Sequence, residues 1–216
     1  MQVMRRREET MLASIRATAG RLSAFAVRFA RHSDGAAAVE FGFLAPLLLL
    51  MLLATIEIGR AVATDRHFTA AVGTAGDLVA REKNLGKSES GALSNLDSMM
   101  KSIEHLMRPY DASTLKLAVI SVRASTKDAT DTRVSWAYSH NGMSKPGDCS
   151  SYALPNNIVA AGNSVIVVDA TYEFKPLFGD FVPGFSGAMT WTNKSYHSPR
   201  NSCVDYVEGD NCTNSC

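Results

Sequence analysis

The sequence predicts an α+β fold: a long N-terminal helix with a membrane-spanning first half and an amphipathic second half, a second short helix, and a roughly four-stranded antiparallel sheet. Three observations carry this. Phe41 to Ile56 is a run of sixteen uncharged residues, seven of them Leu. Beyond it, apolar residues recur at helical spacing to about Lys83. From Thr114 the texture changes to alternating β-branched and aromatic runs between turn residues. Helices followed by strands indicate α+β with an antiparallel sheet.

Residues 1–35 read as a basic leader. Seven Arg (Arg5, Arg6, Arg7, Arg16, Arg21, Arg28, Arg31) stand against Glu8, Glu9 and Asp34, which is 7 − 3 = +4 in a chain of net charge +1. Leu12, Ile15, Leu22, Phe25 and Phe29 are spaced as on a basic amphipathic helix that lies on an anionic leaflet. The next segment, 36–56, would make a helix of roughly 31 Å, the thickness of a bilayer's hydrocarbon core. With the basic residues crowded before it, the positive-inside rule places the N-terminus in the cytoplasm and the C-terminal bulk outside. Glu40 is the one charge within the span, and an intramembrane carboxylate is a functional hypothesis by default. Pro46 removes a backbone hydrogen bond in the same span and should bend it.

Residues 57–83 continue the helix as an amphipathic segment. Ile58, Val62, Phe68, Val72, Ala75 and Val79 form its apolar stripe, with Arg60, Asp65, Arg66, Thr69 and Asp77 between them. Gly73 and Gly76 each weaken it by about 1 kcal/mol relative to Ala. A second helix, capped by Ser88 or Ser90 and ended by Pro109, presents Leu93, Leu96, Met99, Met100, Ile103, Leu106 and Met107 to a core. Strands are predicted at 115–122, 133–138, 164–174 and 189–196. Val134, Trp136 and Tyr138 are expected on one face. Ile166, Val168, Ala170, Tyr172 and Phe174 are expected on another, opposite Asp169, Thr171 and Glu173. Residues 139–157 and 176–187 are loops rich in turn residues. Residues 84–216 would therefore be an exported α+β domain.

All four cysteines (Cys149, Cys203, Cys212, Cys216) follow the span. An even count confined to an exported region reads as two disulfides. Four cysteines allow three pairings, and Cys203–Cys212 with Cys149–Cys216 is the one we expect. Zinc is disfavoured because C-x8-C-x3-C has no paired knuckle and no nearby His. The five His are scattered, and no G-x-S-x-G elbow, P-loop or G-x-G-x-x-G occurs. We therefore expect no enzyme activity, cofactor, resident metal or nucleic-acid partner. Asp205, Glu208 and Asp210 read as a solvated acidic loop in preference to a Ca²⁺ site.

The string GAAAVEFGFLAPLLLLMLLATIEIGRA, residues 35–61, resembles the start of TadE-like minor pseudopilins of tight-adherence (Tad, Flp-type) pilus systems. That family shows A-x-x-E-F, a Pro within the apolar helix, then E-x-G-R. Ala37, Ala38, Glu40, Phe41, Pro46, Glu57, Gly59 and Arg60 occupy those places here. The resemblance implies a pilin-like fold and cleavage by a prepilin peptidase between Gly35 and Ala36. It also implies an assembly role for Glu40 and Phe41. Its implied partners are the peptidase, other pilin and pseudopilin subunits, an inner-membrane assembly platform and membrane lipid. A bacterial inner-membrane location follows, single-pass, with a periplasmic domain and transfer to a surface pilus for adhesion. The alternative is an uncleaved bitopic anchor whose outer domain binds an envelope partner.

Overall fold

The computed structural model of the chain describes residues 34–184 and 186–209. The leader to Ser33, Phe185, and the tail from Asp210 with Cys212 and Cys216 lie outside the described residues. The elements are α1 (Asp34–Arg81), α2 (Glu89–Leu106), β1 (Lys116–Ala124), β2 (Thr132–His140), β3 (Ser164–Phe174) and β4 (Met189–His197). The α+β order of two helices followed by a four-stranded antiparallel sheet is therefore observed. The chain divides into two compact units between Leu52 and Leu53.

In the first unit α1 is continuous through Pro46. Its apolar side chains meet no protein core among the described residues: Phe41, Phe43, Leu44 and Leu47 to Leu52 are all exposed.

In the second unit the sheet order is β2-β1-β3-β4, every pair antiparallel. One face carries Leu117, Val119, Trp136, Tyr138, Ile166, Val168, Ala170, Tyr172 and Phe174. It packs on Phe68, Ala71, Val72, Ala75 and Val79 of α1 and on Leu96, Met100 and Ile103 of α2. The amphipathic half of α1 thus covers one face of the sheet, as its periodicity implies. The phase of the stripe differs from expectation at its start. Ile58 and Val62 are exposed, and the buried line begins instead at Glu57 and Thr64. Two polar residues lie inside because the chain itself supplies their hydrogen bonds, described below.

The other sheet face holds Ala118, Ile120, Val122, Val134, Ala137, Val165 and Val167 under Met143, Tyr152 and Leu154. A sheet with both faces covered needs apolar residues on both, which explains the unbroken apolar character of β1. The placement of Val134 beside Trp136 and Tyr138 is corrected here. The β1–β2 register shifts between Ser121 and Val122, with Ser121 opposite Trp136 and Val122 opposite Val134. Ser135 is the extra residue of this bulge, and it turns Val134 to the second face. The segment after β2 returns along its outer edge. The Cys149 N–H donates to the Val134 carbonyl (2.9 Å), and the Tyr152 N–H donates to the Thr132 carbonyl (3.0 Å). That edge of the sheet is thereby blocked against further pairing.

Ser88 caps α2, its hydroxyl accepting from the Gly91 N–H at 3.2 Å. Ala92, Leu96, Met100 and Ile103 form the buried line of α2, while Leu93 and Leu106 face outward. Gly76, whatever its cost in helix propensity, makes room for a side chain. A Cβ there would lie 2.2 Å from Cδ2 of His197, whose ring rests on the bare helix backbone.

Candidate anchoring and assembly site

The expected processing residues all fall on the first turns of α1. Gly35 and Ala36 are its second and third residues, and Glu40 and Phe41 follow within two turns, all of them exposed. A Cβ added at Gly35 or Gly42 would meet nothing within 4 Å. Nothing in the described fold requires glycine at either place, in contrast to Gly76. The first N–H groups of a helix have no intrahelical acceptor, so this turn opens at little expense, and glycine makes it cheaper still. Ala36 and Glu40 are four residues apart and share one helix face. Gly35–Arg81 contains one stretch long and apolar enough to cross a membrane, with almost none of it buried.

Where the apolar run ends, α1 changes character within one residue. Glu57 is fully buried and Arg60 reaches back one turn to it, Nη1 to Oε2 at 3.3 Å. The other carboxylate oxygen accepts the backbone N–H of Phe178 at 2.6 Å. The Arg60 guanidinium lies 5.8 Å from the ring centroid of Phe174, which stacks at 4.8 Å on Trp191. Thr64 donates to the Arg60 carbonyl at 2.8 Å. A charge-assisted bond to a main-chain donor is about twice as strong as a neutral one. Glu57 therefore ties α1 to the loop after β3 across 121 positions of sequence. Spacing alone did not reveal this clamp, although Glu57 and Arg60 are the outer residues of the E-x-G-R element noted in the sequence.

Two further polar clusters belong to the sheet. His140 is buried with Nε2 at 2.9 Å from Glu104, while Asp97 lies 3.8 Å from its other nitrogen. Next to it, burial, with Asp97 second, pushes the Tyr138 hydroxyl up to about 12. On the opposite face Lys194 donates to the Tyr152 hydroxyl (2.8 Å) and sits 3.1 Å from Asp169. Burial pulls the Lys194 ammonium down, but the bonds to Tyr152 and Asp169 outweigh it and its pKa is raised. Burial also raises Tyr152. All these groups are paired within the chain, as befits structural roles.

Of the expected acidic loop, Asp205 is buried, and its backbone pairs with the segment after α1, its carbonyl accepting from the Leu85 N–H at 3.0 Å. Val204 accepts from the Trp136 indole at 2.9 Å. Neither described cysteine, Cys149 or Cys203, is a free thiol. Their expected partners Cys212 and Cys216 lie outside the described residues. Among the described residues no cluster of His, Cys, Asp and Glu could hold a metal ion.

No curated protein and no solved structure matches the chain. A family model does match: residues 35–77 fit the one described as TadE-like protein. The matched segment begins at the expected scissile glycine and runs through Glu57 and Arg60 into the helix that covers the sheet. An N-terminal apolar helix and this family fit a membrane-anchored protein associated with a Tad pilus. From Gly35 to Asp77, the chain matches the TadE-like family.

Proposed function

We propose that this chain is a minor pseudopilin of a Tad pilus, non-enzymatic and cleaved by a prepilin peptidase between Gly35 and Ala36. The observation that carries this is the pairing of an exposed, unpacked apolar helix with a glycine and a carboxylate at its start that the chain's described fold does not use. Cleavage would leave an ammonium group on Ala36 at the edge of a low-dielectric layer. There it attracts Glu40, of its own or a neighbouring subunit, more strongly than it would in water. The cost of a carboxylate in lipid then favours assembly. The exported domain would face the periplasm, with Cys149, Cys203, Cys212 and Cys216 joined as two disulfides. Its partners would be the peptidase, the other pilin subunits and the assembly platform, and its output a surface pilus used in adhesion.

Mass spectrometry of the mature N-terminus, on protein taken from its own membranes, tests this. The expected first residue is Ala36. An intact leader in cells that contain the peptidase would overturn the proposal and leave an uncleaved bitopic anchor.

A further inference from the structure

The loop after β3, residues 176–188, reads Pro-Leu-Phe-Gly-Asp-Phe-Val-Pro-Gly-Phe-Ser-Gly-Ala and carries one charge, Asp180. Surface loops are ordinarily polar because their backbones must meet water. Here Leu177 is 66% and Phe181 70% exposed, more than any other large apolar side chain described in the second unit. They are held outward by a specific geometry. Phe178 is fixed through its N–H to buried Glu57, the Phe181 and Val182 N–H groups both return to the Phe178 carbonyl at 2.9 and 3.1 Å, and Val182 is buried. Leu177 precedes that anchored turn and Phe181 lies within it.

The anchor also fixes where the turn lies. Glu57 follows directly on Ile56, the last residue of the uncharged run. Leu53 to Arg60 and the loop belong to the same compact unit. The hydrocarbon core ends near the last apolar residue of a span, and the headgroup layer beyond it is roughly 5–8 Å deep. With α1 crossing the membrane, a turn bonded directly to the next side chain along would lie at the depth of that layer. Aromatic and aliphatic side chains bury well at that depth.

We infer that Leu177 and Phe181 dip into the membrane leaflet from which α1 emerges, so that the exported domain rests on the lipid surface at a second point. This rests on α1 crossing the membrane. The occupant is lipid rather than another subunit because the exposed pair belongs to a turn bonded to Glu57, the first residue after the uncharged run.

The test uses the full chain in vesicles of phosphatidylethanolamine and phosphatidylglycerol. A lipid-soluble aryl diazirine is photolysed and the labelled peptides are identified by mass spectrometry. Label is expected in residues 36–56 and again in the peptide holding Leu177 to Val182, but not in the exposed loop at 125–131. The double substitution Leu177→Ser and Phe181→Ser, or Phe181→Ser alone, should reduce loop labelling to that background while the span label and the melting midpoint stay unchanged. A labelled span with an unlabelled 177–182 peptide overturns the inference and leaves the membrane reading intact. An unlabelled span overturns both. With Phe181 replaced by p-benzoylphenylalanine, a photoproduct joined to a second protein chain in place of lipid overturns it in favour of a subunit contact.

Discussion

The two halves of α1 use the same residue types in opposite ways. Glu40 and Gly35 sit in the half where no described side chain packs on them. Glu57 and Gly76 sit in the half that covers the sheet. Glu57 is fully buried between Arg60 and the Phe178 N–H, and Gly76 is pressed against His197. In the second half, Glu57 and Gly76 are explained by contacts within the fold, although a Cβ at Gly59 or Gly73 would also meet nothing within 4 Å. In the first half nothing inside the described fold explains them, and the function proposed above assigns them to lipid, peptidase or a neighbouring subunit.

The two glutamates should separate the halves of α1 most strongly. Glu57→Ala leaves the Phe178 N–H and the Arg60 guanidinium without their acceptor and should destabilise the domain by about 3 kcal/mol. In a unit of this size that lowers the melting midpoint by roughly 6–12 °C. Glu57→Gln keeps an acceptor for Phe178 and should lose less. Glu40→Ala should shift the midpoint negligibly, since the exposed side chain packs on nothing in the described fold, yet abolish piliation when introduced into the producing cell. Wild-type pili in that strain would erase the distinction between the two carboxylates.

The glycines give the next largest effect. Gly76→Ala gains about 1 kcal/mol of helix propensity but must displace the His197 ring, for a net loss of about 1–2 kcal/mol. Thermal unfolding in detergent measures it. Gly35→Ala should leave unfolding unchanged and slow removal of the leader, read as the ratio of precursor to mature protein. If Gly35→Ala were processed at the wild-type rate, the open space around Gly35 would need another explanation.

Alkali provides a milder discrimination. Burial holds Tyr138 protonated to about pH 12, whereas an unfolded tyrosine ionises near 10. Its folded pKa is raised, so its contribution is whole below pH 10. It is lost as the pH climbs from 10 to 12, because the unfolded chain releases the proton first. Tyr152, Tyr172 and Tyr206 are shifted the same way, burial being the first cause in each. The first unit holds no tyrosine. Near-ultraviolet dichroism from Trp136 and Trp191 should therefore fade over that range, and Tyr138→Phe should push the loss to higher pH.

Most of the fold was legible because its signals are local. The apolar segment 36–56 is long enough for a span, Ser88 suffices for a cap, and the alternation from Val168 to Phe174 marks β3, whose predicted limits match the observed Ser164–Phe174. The segment from Gly35 carries its own family signature, which the match over residues 35–77 repeats. What failed was nonlocal. Val134 reads as a partner of Trp136 until a bulge at Ser135 turns it over, and a bulge is a property of two paired strands rather than of one. Ile58 reads as core by spacing. The domain instead buries Glu57, because a main-chain donor 121 residues away meets it. The loop 139–157 reads as polar turns, yet Met143, Tyr152 and Leu154 from it close the second face of the sheet.

The sequence by itself therefore determined what each segment is: an apolar span, two helices, four strands, and a glycine–glutamate pair at the head of the span. Periodicity, capping and hydropathy act between near neighbours along the chain. The tertiary structure decided which polar residues the fold uses. Whether a carboxylate is buried and bonded or left exposed depends on what arrives from elsewhere in the chain, and that is how Glu57 and Glu40, alike in one helix, come to differ.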